Sequence, residues 1–107
     1  MSTVIEEGDS MKLFGATFVF GKDTQIPESV RCGRPLLREE VYPRQLDDLL
    51  HLLSAISSVS GGAYLLAEAM EANGSRLSAQ DQDTLANLTS SVELLRSVIF
   101  EKFRRRA

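Results

Sequence analysis

Apolar residues recur at three- and four-residue spacing through the C-terminal part of the chain. Leu46, Leu49, Leu53, Ile56, Ser60, Ala63, Ala67 and Met70 step along one face of a helix. Leu52, Val59 and Leu66 form a second apolar line beside it. The stretch ANGS then supplies Asn73 and Gly74 for a left-handed cap, so the helix is expected to end there. Counted from Pro43, it would be roughly 45 Å long at about 1.5 Å per residue. Ser78 opens a second helix: its hydroxyl can accept from first-turn N–H groups, and Asp81 follows as in a capping box. Leu85, Leu88, Val92, Leu95 and Ile99 repeat the three-four spacing. Asp81 and Asp83 suit the positive end of that helix, and Lys102, Arg104, Arg105 and Arg106 its negative end. A short loop between long helices predicts an antiparallel αα-hairpin over residues 44–107.

Residues 1–43 read differently. They hold all three prolines, four of the seven glycines and the aromatic run LFGATFVF. Lys12–Phe20 is predicted as one extended segment or strand, with ESVRC as its best partner strand. A lone strand leaves its backbone unpaired, so it must pair, across a dimer if not within the chain; alternatively it lies as an arm over the helices. Pro35 can open a short helix, PLLREEVY, and Pro43 either stops it or starts the next helix.

The predicted first helix carries its weakest residues at its centre, in SSVSGGAY. Gly61 and Gly62 together cost a helix about 2 kcal/mol relative to alanine. Three readings account for them. In the first, Ser57 and Gly61, or Ser58 and Gly62, four apart on one face, let another helix approach closely. In the second, the glycine pair breaks or kinks the helix. In the third, the small residues floor a ligand groove, with Ser60 and Tyr64 as binding groups. Both helices also carry apolar residues beyond one seam: Leu52, Val59 and Leu66 on the first, Leu94, Val98 and Phe100 on the second. The aromatic arm can cover part of this excess and a second copy the rest. The expected fold is therefore mainly α: a hairpin that doubles into a four-helix bundle as a homodimer, with Ser57, Gly61 and Gly62 at the crossing.

Composition narrows the function. The chain has 107 residues, 43% hydrophobic and 25% charged, in the range of one globular domain. Its net charge of −3 lacks the basic excess that general nucleic-acid binding calls for. No stretch comes near the run of about 18 apolar residues that a membrane helix needs. The first ten residues lack the basic and apolar regions of a secretory signal, so a cytoplasmic protein with no membrane partner is expected. Cys32, the one cysteine, makes no internal disulfide and reads as a plain small residue.

No catalytic signature stands out. Gly21–Lys22 is followed by Asp23, which rules out a phosphate-binding P-loop, and SVSGG is not a nucleophile elbow. His51, the one histidine, shares a helical face with Asp47, too little for a metal site. The acidic pairs Glu6–Glu7, Glu39–Glu40 and Asp47–Asp48 read as solvated surface. No enzyme activity, cofactor or metal is expected. The general look is that of small bacterial or phage helical-hairpin proteins, a class of shape that carries no chemistry. The leading expectation is a non-enzymatic adaptor, regulator or inhibitor that binds itself and another protein. Its partner-binding residues would be Leu52, Val59 and Leu66, with Arg104, Arg105 and Arg106 at the rim. The alternative is a small-ligand or nucleotide-binding bundle with a groove at Ser60 and Tyr64.

Overall fold

The structure, a computed structural model, describes residues 10–21 and 25–106. Six elements follow in order: β1 (Ser10–Leu13), β2 (Ala16–Val19), α1 (Glu28–Arg31), α2 (Arg38–Val41), α3 (Leu46–Ala72) and α4 (Ala79–Arg106). The long antiparallel helical pair is present as expected, with α3 of 27 residues and α4 of 28 packed side by side. Glu6–Glu7 and the lysine of Gly21–Lys22 lie outside the described residues.

The helix ends follow the capping chemistry. The backbone N–H of Asp81 donates to Ser78 Oγ at 3.1 Å, which starts α4. Gly74 takes φ +83°, Ser75 N–H donates to the Met70 carbonyl and Gly74 N–H to that of Glu71. This is a Schellman close, and it turns the chain back sharply enough for α4 to return along α3. The Gly61–Gly62 pair does not break α3, which runs unbroken through it. The expectation of a break into two shorter helices is therefore corrected: the neighbouring turns carry enough helical hydrogen bonds to carry the helix through the pair.

The aromatic segment is not one strand. It folds on itself as a hairpin in which Met11 faces Phe18 and Leu13 faces Ala16. Phe14 (φ 57°) and Gly15 (φ 76°) both occupy the left-handed region, as a two-residue primed turn demands. ESVRC is not its partner: Glu28–Arg31 is helix α1. The period-two alternation survives inside the hairpin, since Met11 and Leu13 are buried while Lys12, Thr17 and Val19 are exposed.

Hairpin, α1 and α2 form an arm that packs onto the helical pair and joins one core. Met11, Leu13, Phe20, Ile26, Val30, Leu36 and Val41 from the arm cluster with Leu49, Leu52, Ile56 and Val59 of α3 and Leu88, Leu95 and Val98 of α4. Side-chain hydrogen bonds fix the arm's position. Leu36 N–H donates to the buried Ser91 Oγ at 3.0 Å, and that hydroxyl donates to the Asn87 carbonyl at 2.8 Å. Asn87 Nδ2 donates to the Gly33 carbonyl at 2.9 Å, just past the end of α1. Within the arm, Ser29 Oγ and Leu37 N–H both donate to Glu40 Oε1, at 2.6 and 3.1 Å. Burial alone would raise the Glu40 pKa; these donors and the Arg34 charge outweigh it and hold the carboxyl below its usual range.

One sequence expectation about α3 needs correction. By length and composition α3 passes the test for a membrane-crossing helix, with a mean hydropathy of 1.5 in an 18-residue window. His51 and the serines interrupt the apolar run, but the leucines and alanines between them keep the mean hydropathy of the helix high. In this fold 28% of that window is buried within the chain.

Two predictions follow from the arm's anchors. Ser91→Ala strands the buried Leu36 N–H and should lower unfolding free energy by about 1–3 kcal/mol in a denaturant titration, with helix content unchanged. Glu40 has a depressed folded-state pKa, so its stabilising contribution is present above the unfolded value near 4.5 and fades as pH falls through the folded value. Glu40→Gln should therefore flatten the acid limb of stability against pH below about 4.5, measured by thermal melts.

Candidate functional site

Leu52 and Val59 are buried at 0% and 4% exposure, and Leu66 is half-buried. As a line facing a separate partner, this trio is corrected: the core is rotated toward it. Phe18 of the hairpin reaches the same flank, where a Cβ added to Gly62 would sit 3.6 Å from the ring. Leu46, Leu53 and Ser60, assigned to the buried stripe from spacing, are only half-buried. Leu52 and Val59 thus belong to the core that the arm and the helical pair share, and the exposed side of α3 lies around the helix from them.

That uncovered side has its own repeat. Leu50, Ser54, Ser57, Gly61, Tyr64, Glu68 and Glu71 alternate steps of four and three, which keeps them on one stripe. Ser57 is half-buried and the others are exposed. Nothing lies within 4 Å of a Cβ added to Gly61. On α4 the adjoining stripe is Leu85, Thr89, Val92, Arg96, Ile99 and Phe103, with Phe100 beside it; Thr89, Arg96, Phe100 and Phe103 are exposed, Leu85 is half-buried, and Val92 and Ile99 belong to the core. The two stripes meet where Leu53, Ile99, Phe100 and Phe103 line an apolar groove of about 510 Å³, with Arg96 and Arg104 at its edge. Among the described residues, five of the seven large exposed apolar side chains lie on or beside this face: Leu50, Tyr64, Leu65, Phe100 and Phe103.

The basic C-terminal cluster is divided among different tasks. Arg104 stacks over Phe100, 5.7 Å from the ring centroid, and so belongs to the open face. Lys102 and Arg105 instead lie over Tyr42, at 5.2 and 5.9 Å, joined there by Arg38 at 4.9 Å. Arg38 also pairs with Glu101 at 2.8 Å, tying α2 to the end of α4. The side chain of Arg106 lies outside the described residues. A second groove, of about 500 Å³, is lined by Gln45, Leu46, Asp47, Lys102 and Arg105. Both grooves sit at the end of the pair where α3 starts and α4 finishes, away from Ser60 and Tyr64.

The remaining candidate groups are scattered. His51 and Asp47 are exposed one turn apart on α3. The Cys32 thiol is exposed and within 3.4 Å of a Glu28 carboxylate oxygen. Among the described residues, no three His, Cys, Asp or Glu side chains gather as a metal-binding group. No protein-family model, curated protein or solved structure matches the chain.

Leu52→Asp or Val59→Asp should unfold the chain and not merely release a partner. A buried, unpaired carboxylate costs about 3–5 kcal/mol, a large share of the stability of a small domain. Loss of the helical circular-dichroism signal at 25 °C checks this.

Proposed function

We propose that the protein is a non-enzymatic interaction module, an adaptor, regulator or inhibitor, that works as a homodimer and offers a surface to another protein. The observation that carries this reading is the concentration of exposed Leu50, Tyr64, Leu65, Phe100 and Phe103 on the one side of the helical pair that the arm leaves uncovered. An apolar face of this kind, edged by arginines, is characteristic of interaction sites. The molecule is also a slab, 49 × 38 × 18 Å along its principal axes, so α3 and α4 have a second flat side to cover. Stacking two such slabs through α3 and α4 makes a four-helix bundle. The arm then faces outward, and its exposed Leu37 and Val19 lie on surface left for a different protein.

Light scattering over a wide concentration range tests the reading. The wild type should show about twice the chain mass of 11.8 kDa. Phe100→Asp/Phe103→Asp should return it to the single-chain mass with helicity intact, because both side chains are exposed within one chain. A wild-type monomer at every concentration would overturn the proposal.

A further inference from the structure

We infer that the groove between the start of α3 and the end of α4 binds a small phosphate monoester with a hydroxyl-bearing body, a polyol or sugar phosphate. The phosphate sits at Lys102 and Arg105, and a hydroxyl of the body reaches Asp47. This site is independent of the homodimer reading, because its groove shares no lining residue with the apolar groove of the open face.

Tyr42 gathers the cations. It follows α2, and its half-buried ring has Arg38, Lys102 and Arg105 at 4.9, 5.2 and 5.9 Å from its centroid. Glu101 answers one of the three by pairing with Arg38. Arg44, the nearest other cation in the chain, is committed to the carbonyls of Gln25 and Glu40. Among the described residues, Lys102 and Arg105 have no carboxylate at ion-pair distance. Two like charges held beside one ring repel each other and jointly attract an anion.

The groove gives that attraction a place to act. Lys102 and Arg105 line it together with Gln45, Leu46 and Asp47, around about 500 Å³. That volume falls in the range of small-molecule sites. A guanidinium fork beside an ammonium matches the several acceptor oxygens of a phosphate better than a lone carboxylate. Asp47 is exposed and carries the opposite charge. It repels a bare anion but accepts from a hydroxyl, so it selects an ester whose phosphate and hydroxyls lie at different ends. The Gln45 amide can donate and accept, and the half-buried Leu46 offers an apolar wall to the carbon skeleton.

Titration with glycerol phosphate at constant ionic strength tests the site. The amide signals of Leu46, Asp47 and Lys102 should shift and saturate in two-dimensional NMR spectra. Lys102→Gln/Arg105→Gln keeps part of each stem beside Tyr42 and removes the charges; it should weaken binding about tenfold or more, with helicity intact. Arg96→Gln/Arg104→Gln makes the same change in net charge on the open face and should leave binding unchanged. Asp47→Ala should tighten inorganic phosphate and erase the advantage of glycerol phosphate over it. Signals that glycerol phosphate does not move would overturn the proposal, as would equal weakening by the two double variants, or an Asp47→Ala variant that tightens both probes alike. Sedimentation with phosphatidylcholine vesicles carrying phosphatidic acid, without a shift in glycerol phosphate, would assign the cations to a lipid headgroup and overturn the free-ligand site.

Discussion

The structure depends on covering α3. Its side chains are apolar or small around most of its circumference, and a helix of that kind must be covered from more than one direction. Leu49, Leu52, Ile56, Val59 and Ala63 of α3 share one buried cluster with Leu88, Leu95 and Val98 of α4 and with Leu13, Phe20 and Val41 of the arm. Each fully buried leucine or isoleucine contributes about 1.5–3 kcal/mol, so neither cover can be dispensed with in a domain of marginal stability. The arm is thus part of the core, although its composition differs sharply from that of the helical pair.

A few polar contacts decide where that arm sits. Apolar burial is non-directional and leaves the short elements free to slide over the helices. Ser91 and Asn87, four residues apart on α4, each take hold of the arm, one at Leu36 and one at Gly33. Gly33 has φ +81° and closes α1, and a Cβ there would press on Thr84 Oγ1 at 3.2 Å. Sharp reversal and close approach to α4 therefore fall on one residue. At the far edge the Arg38–Glu101 pair and the cations around Tyr42 tie α2 to the end of α4. These exposed contacts add little energy individually, but they fix orientation.

Long, periodic elements were legible in the sequence, and short ones were not. Both helices of the pair and their reversal at Asn73–Gly74 follow from spacing and caps. The rotation of α3 does not, because an all-round apolar helix has no single stripe for spacing to find; Leu52 looked like surplus and is core. The hairpin was hidden because Phe14 occupies a left-handed turn position usually given to Asn, Asp or Gly. ESVR has strand-like composition but lies in a four-residue helix set by its neighbours. Ser91 was readable in principle: it falls in the line Leu88, Ser91, Leu95, Val98, where a serine amid core positions signals a buried hydroxyl with a partner. On the open face, Ser57 and Gly61 were legible as small residues of α3, whereas the grouping of Phe100 and Phe103 with Leu53 appears only once α4 is packed against α3.

The glycine pair now divides into two cases. Gly62 has Phe18 at ordinary contact distance, so its missing side chain makes room for the hairpin within the chain. Gly61 has no such neighbour, and its cost to the helix, about 1 kcal/mol, has no visible offset in a single copy. In the homodimer proposed above, the bare backbone at Gly61 is where a second helix would gain close approach and so offset that cost, whereas Gly62 is already accounted for within one chain.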